Sequence, residues 1–243
     1  MLLEAVGELM ILMVLVASGY AGIKAYVHHR QPGWSDFVLK RRFAILGLLT
    51  LLVVGVKVFE DVLANESGAV DRLILILVRR QIPVSLQAFF SAVTVAGSAL
   101  VIVPAAVGAA VALVILKHRP EGFLMMASLG TAAILSYFIK TATGRARPDL
   151  WDSQWYWGSS FPSGHTLHTA AVATGLALCA ARLWPRSASW AMALALSWTL
   201  LVALSRLFLG VHWPSDVLAA ICLGVFIPLA ISMAMDLRAH HAR

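Results

Sequence analysis

The sequence predicts an all-α fold: a polytopic membrane bundle of seven crossings. Three observations lead there. The 243 residues are 60% hydrophobic and only 13% charged, with a mean hydropathy of +0.83, against roughly 45–50% and about 25% in soluble domains. Apolar runs recur at about the 20 residues that one bilayer crossing needs. The segments between them are too short for a separate extramembrane domain. A water-soluble globule is excluded. Cys179 and Cys222 lie in different apolar runs, with neither disulfide-framework nor zinc-ligand spacing, and read as packing residues. The net charge of +7 in such a chain reports orientation rather than nucleic-acid binding.

The elements follow in order: spans at 5–26, 43–64, 96–117, 122–142, 164–183, 188–208 and 214–236. The first is too long for a signal-peptide core and carries Glu4 and Glu8 in place of a basic leader, so it is expected to remain as a helix. Alternating crossings gather Arg30, Lys40, Arg41, Arg42, Lys117, Arg119, Arg182, Arg186, Arg238 and Arg243 on one side, which the positive-inside rule assigns to the cytoplasm. The amino terminus is then outside and the carboxyl terminus inside. Trp151, Trp155, Trp157 and Trp213 mark the outer interface. Between spans two and three, Val70 to Val78, flanked by Asp71, Arg72, Arg79 and Arg80, is expected to form a short interfacial helix.

Ionisable groups at or inside the spans are costly unless paired or wet, and so are functional candidates. Lys57, Glu60 and Asp61 form either a self-neutralised cluster, with Lys57 and Asp61 paired at i,i+4, or the border of a headgroup route. Three further strings stand out: KTATGRARP (140–148), PSGH (162–165) and SRLFLGVHWPSD (205–216). Singly, each has a plain explanation, such as a snorkelling Lys140 or an N-cap at Ser163. The alternation of crossings, however, places all three at one outer face. A convergent set of Lys, Arg, His, Ser and Asp is the composition of an anionic-substrate site.

Lys140, Arg147 and Arg206 match the charge and oxygen geometry of a phosphate. Ser163 and Gly164 open span five, where unpaired backbone N–H groups favour an anion. Two histidines divide the remaining chemistry. Asp216 follows His212 by four residues, so a helical turn through Pro214 would let the carboxylate orient the imidazole and make His212 the nucleophile. His165 is then the general acid. No cofactor is required and no metal is expected: His165 and His168 at i,i+3 find no third ligand nearby, and the cations would repel a metal ion. Arg145 either adds a fourth cationic contact or faces solvent. His28, His29, His118, His240 and His241 are expected to be solvated.

These strings resemble the integral-membrane type 2 phosphatidic acid phosphatases, of the larger superfamily that includes soluble acid phosphatases and vanadium haloperoxidases. Their signature is K-x6-R-P, P-S-G-H and S-R-x5-H-x3-D. Lys140, Arg147 and Pro148 supply the first part, Pro162 to His165 the second, and Ser205, Arg206, His212 and Asp216 the third. The resemblance implies a phosphohistidine at His212, orientation by Asp216 and leaving-group protonation by His165. It assigns phosphate binding to Lys140, Arg147, Ser163, Gly164 and Arg206. The resemblance also implies a six-helix core at 43–243, from which the additional amino-terminal helix with its basic loop (1–42) departs.

The expected function is metal-independent hydrolysis of a lipid phosphate or diphosphate at the outer face of a bacterial inner membrane. A polyprenyl diphosphate such as undecaprenyl diphosphate is favoured, by analogy, over phosphatidate or phosphatidylglycerol phosphate. A lipid phosphotransferase is the alternative. A lipid transporter is the weaker one, since its ionisable residues should spread toward mid-membrane rather than crowd at one end.

Overall fold

A computed structural model of the protein describes residues 2–30, 34–151 and 158–241. Trp155, Trp157 and Arg243, with the side chains of Glu4 and His241, lie outside the described residues. The described chain is helical: α1 (Leu2–Arg30), α2 (Ser35–Lys40), α3 (Arg42–Leu63), α4 (Gly68–Gln81), α5 (Gln87–Ala96), α6 (Ala99–Ile115), α7 (Arg119–Thr143), α8 (Gly164–Leu183), α9 (Ala188–Phe208) and α10 (Pro214–His241). Six of these, α1, α3, α7, α8, α9 and α10, are long and apolar enough to cross a membrane.

Within the third expected crossing, 96–117, the structure has the shorter apolar helix α6, Ala99–Ile115. α6 has only 17 residues, short of the roughly 20 a crossing needs. α5 precedes it across the Gly97–Ser98 break. Thr94 of α5 meets Ser205 of α9 at 2.8 Å, whereas α6 packs on α7, where Gly122 lies beneath Val114 and Ala110. A Cβ on Gly97 would sit 2.7 Å from a Val202 methyl, so glycine lets the break press against α9.

α8 is the most buried crossing and occupies the centre, with α9 and α10 as its main neighbours. Small residues make this possible. A Cβ on Gly224 would stand 2.5 Å from the Ala170 Cβ, the close approach that small residues allow between membrane helices. Cys179 joins the core of α6, α7 and α8, and both cysteines are free and buried. At the periphery, α1 leans mainly on α3.

The two ends of the bundle differ. Arg41, Arg182 and Asp236 meet at one end, with Asp236 2.7 Å from Arg41 and 2.6 Å from Arg182. The opposite end receives the end of α7 and α9 and the start of α8 and α10, as alternation of crossings requires. α4 lies across this end, bent 93° from the segment that follows it. Its stripe Val70, Leu73, Ile74 and Leu77 is exposed, while Asp71 and Leu75 turn inward. Lys57 pairs with Asp61 at 2.6 Å, bordering a cleft of about 500 Å³ between α1 and α3. His28, His29 and His240 are exposed, but His118 is partly covered at the start of α7.

Candidate active site

α7 stops at Gly144, whose left-handed conformation (φ 56°) lets the chain turn where a β-carbon would strain it. Lys140, in the last turn, donates Nζ to the Ser159 carbonyl at 2.7 Å and lies beside Gly164, whose hypothetical Cβ would be 3.8 Å from Lys140 Cε. Past the turn, Arg147 donates Nη1 to the Val211 carbonyl at 2.8 Å and approaches His212 Nε2 at 3.2 Å. Arg206, wholly buried near the end of α9, donates Nη1 to Thr94 Oγ1 at 2.9 Å. The charges that act on His165, in the first turn of α8, include those of Arg206, His212 and Arg147. Lys140, in turn, senses Arg147, Asp216 and Arg206. The three strings thus meet in one place.

Two features join the second string to the third. The Ser163 N–H donates to the Asp216 carbonyl at 3.1 Å, and the Ser163 and Thr166 hydroxyls share a hydrogen bond at 3.1 Å. Gly210, with φ 69°, reverses the chain after α9. Any β-carbon there would collide with the Trp151 indole, so this turn, which presents His212, is reserved for glycine.

The His212–Asp216 contact exists, but not as a helical i,i+4 pair. α10 starts at Pro214, and Trp213 is the residue before it. Pro214 therefore occupies the first helical position, as its missing N–H favours. Asp216 reaches back as an N-terminal capping carboxylate, taking the Trp213 N–H at 2.8 Å and the His212 Nδ1 side at 3.4 Å. His212 is 2% exposed. Burial pushes its imidazole down to about 4, against the pull of Asp216, so above that pH the ring is neutral.

Arg145 does not face solvent: its side chain is 16% exposed. It donates Nη1 to Asp216 Oδ1 at 2.6 Å and to Ser215 Oγ at 2.8 Å, and Nη2 to Asp71 Oδ2 at 2.7 Å and Ser67 Oγ at 3.0 Å. Asp71, read from sequence only as a flank of an interfacial helix, is 2% exposed and accepts the Ser215 N–H at 2.8 Å and hydroxyl at 2.6 Å. It therefore satisfies an otherwise unpaired N–H at the start of α10 from a different helix. Thr94 was likewise missed. Neither residue had a spacing that could betray it.

His168 sits one turn past Gly164, with its ring hydrogen-bonded to the Gly164 backbone. Among the described residues, no group of three or more His, Cys, Asp or Glu is placed to hold a metal ion. Beside the site, between α3, α7 and α10, lies an apolar cavity of about 270 Å³ whose walls include Gly55, Phe59, Ile139, Phe161, Ala219 and Cys222. Ile139 adjoins Lys140, and Phe161 precedes the PSGH string by one residue.

Fold and site define a membrane-embedded helix bundle with a buried cation and imidazole cluster at one end. Residues 121–238 match the PAP2 superfamily, which supports the resemblance to the type 2 phosphatidic acid phosphatases. Its relatives include phosphatidylglycerophosphatase B of Bacillus subtilis, 32% identical over 110 residues that make up 44% of this chain and 54% of that protein. An undecaprenyl-diphosphatase of Sulfolobus acidocaldarius is 32% identical over 124 residues, 49% of this chain and 57% of the relative. The chain thus matches little more than half the length of these curated relatives. Among solved structures, a transmembrane PAP2-type phosphatidylglycerolphosphate phosphatase from Bacillus subtilis superposes with a TM-score of 0.71 at 23% identity, covering 79% of this chain and 96% of that one.

Proposed function

We propose that the protein is a membrane phosphatase that hydrolyses a lipid phosphate or diphosphate, without a metal, through a phosphohistidine at His212. The convergence of two imidazoles with Lys140, Arg147 and Arg206 carries this reading. His212 Nε2 attacks phosphorus as the bond to the leaving oxygen breaks, and His165 gives that oxygen its proton. Water then attacks the P–N bond, returning a proton to His165 and releasing inorganic phosphate. Arg147, already 3.2 Å from Nε2, is placed to hold the phosphoryl oxygens as they flatten toward the five-coordinate state. Lys140, Arg206 and the Ser163–Gly164 start of α8 complete the cradle. Asp216 holds the His212 tautomer and stabilises the cation formed on attack.

The hydrocarbon chain of the substrate lies in the cavity walled by Phe161 and Ile139, which are the chain neighbours of Pro162 and Lys140. A polyprenyl diphosphate at the outer face of a bacterial inner membrane is the favoured substrate. The relatives named for phosphatidylglycerophosphate and for undecaprenyl diphosphate keep glycerophospholipid phosphates as the competing choice. The positive end at Arg41 and Arg182 is cytoplasmic. Residues 1–42 form an addition to a catalytic core at 43–243, consistent with the peripheral contact of α1.

Purified protein incubated with radiolabelled undecaprenyl diphosphate, phosphatidate and phosphatidylglycerol phosphate tests the proposal. Inorganic phosphate should appear, survive EDTA and fall with vanadate. Label found only in a second lipid would establish a phosphotransferase, and strict dependence on an added divalent ion would overturn the metal-free mechanism.

A further inference from the structure

The buried network at the site end contains one carboxylate that the catalytic scheme does not use. Asp71 comes from α4, an element that contributes nothing to the three sequence strings. Its two oxygens accept Arg145 Nη2 at 2.7 Å, the Ser215 hydroxyl at 2.6 Å and the Ser215 N–H at 2.8 Å. The same guanidinium gives its other nitrogen to Asp216 at 2.6 Å. Arg145 is therefore a two-pronged link between carboxylates, and a planar guanidinium holds both prongs in a fixed relative direction.

We propose that Asp71 is a positioning residue for catalysis: through Arg145 and Ser215 it fixes the Asp216 carboxylate against the His212 imidazole, so that α4 completes the nucleophile from outside the signature. The role assigned to Asp216 rests on the proposed phosphatase mechanism, but the geometric link does not.

Charge balance explains why a second carboxylate is needed. Without Asp71, the whole charge of Arg145 would act on Asp216, draw it from His212 and add positive potential at the ring. With Asp71 present, that charge is divided. The groups that face His212 from the surrounding elements are Arg147 beyond α7, His165 on α8, Arg206 on α9 and Asp216 on α10. Arg145 and Asp71 act from behind Asp216. Neutralising each of these two should therefore move His212 in opposite directions. Asp71→Asn removes the negative partner and disfavours the imidazolium, while Arg145→Gln releases Asp216 and favours it.

The test uses full-length protein in lipid nanodiscs, labelled with ¹⁵N-histidine, with the His212 resonance assigned by its loss in His212→Gln. Titration should place the His212 pKa in Asp71→Asn lower than in the parent by about 0.5 to 1 unit, and in Arg145→Gln higher by a similar amount. Asp71→Glu should restore the parental value in large part. Turnover measured alongside should show kcat falling about 10- to 100-fold in Asp71→Asn, with KM within about threefold because no substrate contact is lost.

Unchanged titration in Asp71→Asn, or shifts of the same sign in both variants, would overturn the proposal. So would a loss of thermal stability and activity without any change in the His212 titration, which is what a purely structural role produces. Ser67→Ala, which deletes only the hydroxyl accepting Arg145 Nη2 at 3.0 Å, keeps the test open if Asp71→Asn does not fold. It should shift His212 in the same direction by a smaller amount, and no shift would count against the link. Protein that shows the opposed shifts but releases no phosphate from any lipid would leave the link standing and sink the phosphatase reading.

Discussion

Each end of the bundle carries a three-membered ion cluster, and the two are mirror images in composition. At the end with the expected cytoplasmic charges, one carboxylate, Asp236, is shared by two arginines, Arg41 and Arg182. At the other end, one arginine, Arg145, is shared by two carboxylates, Asp71 and Asp216. Exposure separates them further: the side chains of Arg41 and Asp236 are 51% and 21% exposed, those of Asp71 and Asp216 3% and 0%. A wet ion pair contributes little because water competes for both partners. A dry one fixes direction, because breaking it strands a charge. The same chemistry acts as a fastening at one end and as an alignment device at the other.

That contrast can be broken by substitution at either end. The largest effect is expected for His212→Ala, which removes the proposed nucleophile. kcat should fall by on the order of 10³-fold or more, and ³²P should no longer remain on denatured protein after a rapid quench. Asp216→Asn keeps the shape but loses the carboxylate, and kcat should fall about 10²- to 10⁴-fold. Full turnover in either variant would remove the reason for treating the site end as catalytic.

Smaller effects sharpen the picture. Since burial holds the His212 ring neutral down to about 4, the acid limb of kcat/KM should turn near that value rather than at the usual histidine value of about 6.5. The sign follows from the direction of the shift: protons block the lone pair only once pH falls through the lowered pKa. Gly55→Leu projects a side chain near Cys222, whose Cβ lies 3.4 Å from the site of the added carbon, and so fills part of the apolar cavity. It should raise KM about tenfold for a long-chain lipid phosphate and leave turnover of a short-chain analogue unaltered. Smallest of all, Asp236→Ala should cost about 0–1 kcal/mol of stability, read by thermal unfolding, with kcat unchanged.

Much of the architecture was legible because it depends on local pattern. Hydrophobic length marks each crossing, and alternation then brings Lys140, His165, Arg206 and His212 to one end. The spacing of His212 and Asp216 pointed to the right contact for a different reason: a capping carboxylate reaching back from the start of α10, not a helical turn through Pro214. The start of α6 was less legible, because Gly97 and Ser98 interrupt an apolar run without ending it and the helix begins only at Ala99. Asp71 was hidden more deeply. Its partner Ser215 is 144 positions away, and no local periodicity encodes a bond between helices so distant in the chain. Arg145 carried a basic charge like its neighbour Arg147, and only their contacts tell them apart.

The long-range cap on α10 also bears on biogenesis. α4 leaves the ribosome well before Ser215 and Asp216 do, so Asp71 and Arg145 have each other but lack their remaining partners until α10 arrives. Insertion of α10 supplies the missing donors and the second acceptor at once, so the link from Asp71 through Arg145 to Asp216 closes only when α10 is in place. A nascent chain halted ahead of residue 214 would hold its earlier helices and still lack the Asp216 carboxylate that reaches back to His212.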